Sequence, residues 1–243
     1  MKEKKYLIIG IIFITLLIIG GVYLYQNNKT INKPKDNQVI KDKKVTIDEK
    51  TYNVAYEMDM LHDISDKNVL NKLYDYTAII KINAIDGAFN KDNITNKRKL
   101  TFTQGKAEVL YEIKGHIDDK TITFQRLGGT MKWNDWIKNV VDADKLISLA
   151  KEKGYGDMSN YTVNEYAIGD IKLEVGKTYL VFMNKDKYGR YYIQGMQYGT
   201  REIKTDDTKS LKSSISKENI KKLTIKDNDK NTWINITNVV QFK

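Results

Sequence analysis

The segment 6–25 constrains this chain more than any other, because it contains no charged residue and consists mostly of Ile, Leu, Val and Phe. A helix of this length measures about 30 Å, which matches the hydrocarbon core of a bilayer. Tyrosines stand at both ends, where amphipathic rings suit the headgroup layer. Residues 1–25 are therefore predicted to form an N-terminal membrane anchor in contact with membrane lipid.

An uncleaved anchor is favoured over a cleaved signal peptide, which has the same basic start and apolar stretch. Signal peptides end in a small-residue cleavage site, yet the first alanine is Ala55, and Gly21 has Ile19 at the matching upstream position. Lysines flank the segment on both sides, so the short N-terminal tail decides the orientation as N-inside, C-outside. We therefore predict a single-pass plasma-membrane protein with an extracytoplasmic C-terminal domain.

The excess of positive charge lies mainly beside the predicted anchor. The formal net charge is +10, but residues 1–44 alone contain nine lysines against three acidic residues. Residues 26–44 are polar, include the only proline, Pro34, and show no apolar periodicity, which predicts a basic linker. Residues 45–243 are nearly balanced in charge, so nucleic-acid binding is not predicted.

Residues 45–243 are long enough for one domain, and most of their apolar pattern has the period of a β-strand. Strands are predicted at 45–47 and 51–54 as a hairpin, then at 77–84, 100–113, 121–126, 177–184, 190–195 and 201–204. A last strand is predicted from Thr232 onward, with Ile234, Ile236, Val240 and Phe242 on one face. Because a closed sheet has no free edges, we expect a β-dominated α+β fold built around a small β-barrel.

Three helical regions are predicted around these strands. Residues 66–74 carry a one-sided apolar stripe, and Ser65 can cap them. Residues 134–153 are helical in pattern, in one piece or two, and Gly154 ends them within an insertion at about 131–166. Residues 216–223 form the third helix.

Four motifs resemble bacterial extracytoplasmic domains related to the netrin/TIMP-like OB barrels. These are YTAIIKINA at 76–84, LTFTQGKAEVLYEIKG at 100–115, KTITFQRLGG at 120–129 and LEVGKTYLVFM at 173–183. The resemblance covers about residues 76–195 and implies an OB-like barrel with peripheral helices. It implies no activity, because tissue inhibitors of metalloproteases use an N-terminal cysteine and disulfides, and this chain contains no cysteine.

Aromatic residues are the candidate ligand contacts. Tyr188, Tyr191, Tyr192 and Tyr198 cluster around a predicted hairpin, and OB barrels bind sugars or single strands on such faces. Cross-strand pairing or core packing is nevertheless the favoured interpretation, because tyrosines in strands more often have these roles. Trp133 and Trp136 either cap the barrel, which is favoured, or reach toward a membrane or partner.

Metal and catalytic signals are weak. Asp59, His62, Asp63 and Asp66 have helical spacing for hard metal ligands, but a solvated helix start explains them better. Residues 227–231 begin like a calcium loop, but Thr232 and Asn238 replace its glycine and its bidentate glutamate, which favours a polar turn. No metal, cofactor or catalytic residue is predicted, since neither His62 nor His116 has a nucleophile motif nearby.

The function predicted from these features is a membrane-tethered extracytoplasmic binding or interaction module of the bacterial cell envelope. Its expected partner is an envelope protein or a glycan. One alternative is an envelope hydrolase that uses carboxylates, because acidic residues are plentiful. The other is a calcium-responsive surface module that uses residues 227–231.

Overall fold

The computed structural model describes residues 50–58, 60–207 and 216–242. Within these ranges no helix is long and apolar enough to cross a membrane. The predicted anchor, the linker and the first strand of the predicted N-terminal hairpin lie outside the described residues.

Strands make up most of the described chain, and the helices are short. The strands are β1 (Lys50–Tyr56), β2 (Tyr76–Lys91), β3 (Arg98–Lys114), β4 (Thr121–Leu127), β5 (Gly129–Lys132), β6 (Tyr161–Ala167), β7 (Thr178–Lys185), β8 (Tyr191–Gln194), β9 (Thr200–Glu202), β10 (Thr224–Asp227) and β11 (Thr232–Asn235). The helices whose ends are described are α1 (Lys67–Leu73), α2 (Trp133–Ile137), α3 (Ala143–Glu152), α4 (Met196–Gly199) and α5 (Lys217–Ile220). The predicted α+β class, dominated by β-structure, is confirmed.

The main sheet contains six strands in the order β2-β3-β4-β8-β7-β9. β2 also pairs with β7, so β2, β3, β4, β8 and β7 form a ring of paired strands. Within the ring only β4 and β8 run parallel. The ring is not a clean barrel, because residues 182–185 of β7 pair with β8 whereas residues 179–181 pair with β9.

Strands β2 and β7 are buried on both faces. One face carries Ile80 and Val181, which pack inside the ring with Phe124. The opposite face carries Ile79 and Leu180, which pack against α1 and the C-terminal residues 216–242. Burial on both faces explains why these two strands are nearly continuous apolar runs in the sequence.

A second, three-stranded sheet has the order β1-β6-β5, with β1 parallel to β6. Trp133, Trp136 and Ala150, from α2 and α3, pack on one face of it. The prediction of a helical insertion at about 131–166 is therefore only partly right, because β6 occupies its end. Side chains of β6 alternate between buried and half-buried, but a buried glutamate, Glu165, interrupts the apolar alternation that would have indicated a strand.

Two predicted element ends were wrong for local reasons. Asp66, not Ser65, caps α1: its Oδ1 accepts from the backbone N–H of Asn68 at 2.7 Å. The last strand ends at Asn235, whose side chain accepts from the N–H of Thr237 at 2.8 Å and starts a 3-10 turn. Both outcomes follow because Asp and Asn side chains compete for nearby backbone donors.

Arg126 in β4 lies near the point where β7 stops pairing with β8 and pairs with β9 instead. Its guanidinium donates to the carboxylate of Asp170 and to the hydroxyl of Thr200, the first residue of β9. The side chains of Arg126 and Asp170 are only 5% and 10% exposed. Arg126 therefore connects β4 to β9 by a buried hydrogen bond to Thr200, where no strand pairing does, and its buried ion pair with Asp170 holds the guanidinium in place.

Candidate functional site

The predicted tyrosine cluster divides between surface and core. Tyr188 is 43% exposed. Tyr192 is half-buried, with its ring edge-on to Phe102 and the centroids 5.9 Å apart. Tyr191 is only 3% exposed and packs inside the ring of strands. Because neighbours along a strand point to opposite faces, Tyr191 is a core residue, as the favoured interpretation expected, and not the ligand contact for which it was a candidate.

The remaining aromatic candidates also have packing roles. Trp133 and Trp136 are 6% and 4% exposed, with ring centroids 5.6 Å apart in the core of the second sheet. The structure therefore places neither tryptophan at the surface. Tyr198 in α4 is half-buried against the core beneath residues 216–242.

Tyr188, Arg190, Tyr192 and Phe102 form a continuous patch at the turn between β7 and β8, which we call the tyrosine–arginine surface. The guanidinium carbon of Arg190 lies 5.3 Å from the ring centre of Tyr188 and 5.8 Å from that of Tyr192. Both distances are within the range of cation–π attraction. The arginine therefore links the two rings, and the ammonium of Lys187 also lies 5.0 Å from the ring centre of Tyr188.

Two carboxylates hold Arg190 in this position. Its Nε donates to Asp186 at 2.8 Å, and its Nη1 donates to Asp92 at 2.9 Å. Asp186 also accepts from the backbone N–H groups of Tyr188 and Arg190, at 2.9 and 3.0 Å, which fixes the turn. A rigid aromatic surface loses little conformational entropy when it binds a ligand, so the arrangement suits stacking on a sugar ring or a partner side chain.

Asp92 connects this surface to the end of the β2–β3 hairpin. Besides Arg190, its carboxylate accepts from the N–H groups of Ile94 and Thr95 at 3.0 and 2.8 Å. The hydrogen bond from Thr95 and the ion pair with Arg190 hold the pKa of Asp92 well below its usual range. The charged form of Asp92 therefore stabilises both the hairpin and the tyrosine–arginine surface.

Replacing Asp92 with asparagine should lower the free energy of unfolding by about 2 kcal/mol at neutral pH. Because folding lowers the pKa of Asp92, its contribution is complete above the unfolded value of about 3.9 and is lost as the pH falls through the folded value. Denaturant unfolding of both proteins from pH 7 downward should show the difference shrinking below about pH 4. A difference that stays constant with pH would contradict this account.

Phe102, Arg190 and Asp92 were not predicted from the sequence as parts of a site. The signal at Arg190 was local, because Asp186 precedes it by four residues and a turn between the two brings them together. Asp92 carried no comparable signal, since 98 residues separate it from Arg190. Phe102 was visible only as one position of a long strand.

The candidate metal ligands have other roles. Asp63 accepts from Ser65 and Asp66 caps α1, while His62 is exposed. Asp59 lies outside the described residues. Among the residues that are described, no group of three His, Cys, Asp or Glu side chains is arranged to hold a metal ion.

Residues 227–231 form the turn of the β10–β11 hairpin, as the polar-turn prediction expected. Asp227 accepts from the N–H groups of Asp229 and Lys230 at 3.2 and 3.3 Å, and Asn231 has a left-handed φ of 53°. The hydrogen bonds of the Asp227 carboxylate thus stabilise the turn.

Two depressions stand out in the described surface, and one of them is lined by two exposed carboxylates. The larger, about 580 Å³, lies along residues 138–145, where Asp142 and Asp144 are exposed. The other, about 320 Å³, lies along residues 109–112 of β3. Glu165 is buried elsewhere, where it accepts from Thr101 Oγ1 at 2.6 Å and Trp136 Nε1 at 2.7 Å. Those contacts give Glu165 a structural role.

The tyrosine–arginine surface is therefore the arrangement among the described residues that best fits ligand contact. No protein-family model, curated protein or solved structure matches the chain.

Proposed function

We propose that this protein is a membrane-tethered, extracytoplasmic binding module of the bacterial cell envelope, and that the tyrosine–arginine surface contacts its ligand. The observation that carries the proposal is the position of Arg190. It lies against the rings of two tyrosines and is ion-paired to two loops, yet leaves Tyr188 43% exposed. Ordered tyrosine and arginine side chains of this kind are enriched where proteins bind partners.

The order of strand pairing supports an OB-like barrel, which is part of the proposal. The ring β2-β3-β4-β8-β7 contains one parallel pair, β4 and β8, and returns from β7 to β2. In OB barrels, ligands bind near the loops between the first and second strands and between the fourth and fifth. The corresponding loops here carry Asp92 and Arg190, and their ion pair joins them beside the tyrosines.

The partner class that we propose is a glycan or protein of the envelope. The carboxylates of Asp92 and Asp186 neutralise Arg190, so the surface offers aromatic faces and polar groups more than free charge. Sugar rings and peptide side chains stack on such faces without requiring a counter-charge. Binding should therefore persist at moderate salt concentrations.

Replacing Tyr188 with alanine should weaken binding by about tenfold, because an exposed aromatic anchor is lost while the buried contacts of the fold remain. The measurement is capture of envelope glycans and membrane proteins by the full chain in detergent, followed by titration of the captured component. Trp233→Ala is the matched control, because Trp233 is an aromatic residue on the β10–β11 hairpin with 40% exposure. Equal capture by wild type and Tyr188→Ala would place the ligand surface elsewhere.

The tether has a separate test. Protease treatment of intact cells should remove the domain from the outer face while cytoplasmic proteins remain intact. A domain left untouched by the protease would contradict the proposed topology, whatever the ligand experiment shows.

A further inference from the structure

The end of the β2–β3 hairpin, residues 91–100, exposes apolar side chains beside the tyrosine–arginine surface. Ile94 is 49% exposed and Leu100 is 54% exposed. A single exposed aliphatic residue needs no explanation, but two at the end of one hairpin give this end an apolar character. We call residues 91–100 the hairpin tip.

The hairpin tip is held in shape by its own hydrogen bonds. The N–H of Asp92 donates to the carbonyl of Lys97 at 2.8 Å, and the N–H of Asn96 donates to the carbonyl of Asp92, also at 2.8 Å. Arg190 holds the carboxylate of Asp92 from the neighbouring turn. The backbone is thus fixed in a shape that leaves Ile94 and Leu100 exposed.

Lysines lie on the same hairpin and on the adjacent turn. Lys91 and Lys97 are exposed on the hairpin tip, and Lys187 is exposed on the adjacent β7–β8 turn. Within the described residues none of the three lysines has an ion-pair partner, whereas the nearby carboxylates of Asp92 and Asp186 are both bound to Arg190. The tip and the adjacent turn therefore present exposed lysines beside the apolar side chains, with the ammonium of Lys187 5.0 Å from the ring centre of Tyr188.

We propose that the hairpin tip docks on an anionic membrane surface. Ile94 and Leu100 enter the boundary between headgroups and acyl chains, and the three lysines meet lipid phosphates, which is how basic, apolar protein surfaces bind bilayers. A soluble anionic polymer would attract the same lysines but offers no apolar phase for the aliphatic side chains. The combination favours a lipid surface over such a polymer.

Docking goes beyond the proposed function, because it would orient the tyrosine–arginine surface next to the bilayer. The chain length permits it: residues 26–49 span at most about 80 Å, so a domain tethered at 6–25 has the reach to place this end against the same membrane. The glycan or protein partner and the membrane contact are tested separately.

The absence of cysteine from the chain permits a site-specific test. A fluorophore attached to Leu100→Cys in the full chain is measured in phosphatidylcholine vesicles with and without phosphatidylglycerol, using a lipid-borne quencher. We expect strong quenching only with phosphatidylglycerol. The triple variant Lys91→Gln, Lys97→Gln, Lys187→Gln should lose it. Val175→Cys, an exposed aliphatic position outside the tip, is the control label and should show none.

Three results would overturn the proposal. These are equal quenching in both kinds of vesicle, no quenching at Leu100→Cys, or equal quenching at Val175→Cys. If soluble polyphosphate changes the Leu100→Cys emission and vesicles do not, the tip binds an anionic polymer instead. None of these outcomes bears on the Tyr188→Ala capture experiment, so the two proposals can fail independently.

Discussion

Replacing Arg126 with alanine should lower the free energy of unfolding by about 4 kcal/mol. The side chain is 5% exposed, and its guanidinium is shared between Asp170 and Thr200. Alanine would leave the Asp170 carboxylate, 10% exposed, without its cation in a site that water hardly reaches. Breaking one partner of a buried ion pair is among the most costly single changes in a protein.

Denaturant titration of the folded protein provides the measurement, and a double variant provides the control. In Arg126→Met with Asp170→Asn, no charge remains unpaired, so most of the lost stability should return. If Arg126→Ala lowers the free energy of unfolding by less than about 1 kcal/mol, the contacts of Arg126 are not what holds β4 beside β9. Higher stability of the double variant than of Arg126→Met alone would show that the unpaired charge, not the missing volume, causes the loss.

Replacing Gly105 with alanine should lower the free energy of unfolding by about 3 kcal/mol. Gly105 lies in β3 opposite a register shift in β2, where the two strands bend together. A β-carbon there would overlap the carbonyl oxygen of Ala84 and lie 2.6 Å from Cζ of Phe124 inside the ring. Glycines at such bends let backbones approach more closely than any side chain permits.

Two further variants separate the backbone contact from the ring contact. Phe124→Leu added to Gly105→Ala removes the aromatic obstruction but leaves the Ala84 carbonyl in place, so only part of the loss should be recovered. Gly154→Ala places the same methyl group where nothing lies within 4 Å and should cost only the strain of its left-handed φ of 78°, about 1 kcal/mol. A similar loss for Gly105→Ala and Gly154→Ala would contradict the close approach.

The strand positions that were predicted best lie in the segments whose sequences resemble OB barrels. Residues 77–84, 100–113 and 121–126 all lie within observed strands, because each is long and carries a clear apolar pattern. Strand β6 was missed because Glu165 occupies a buried position of its alternation. A local pattern cannot indicate that Thr101 and Trp136 will satisfy that carboxylate.

For the candidate site, sequence reasoning located the turn but not the surface. The tyrosines around residues 188–192 were evident, and the period of a strand shows that Tyr191 and Tyr192 face opposite ways. Which of the two faces would be covered depends on the closure of the ring and on the segments packed outside it. Tyr191 lies inside and Tyr192 lies beside Arg190 for that reason.

Local chemistry in the sequence thus determined the β-dominated class, most strand positions and the polar turn at 227–231, because these depend on the period of apolar residues and on side chains next to each other in the chain. Tertiary structure alone decided the features that join distant residues. Asp92 meets Arg190 across 98 residues, and Arg126 meets Thr200 across 74. Such pairs leave no periodic trace, since each depends on where the strands β2, β4, β8 and β9 are placed by the packing of the whole domain.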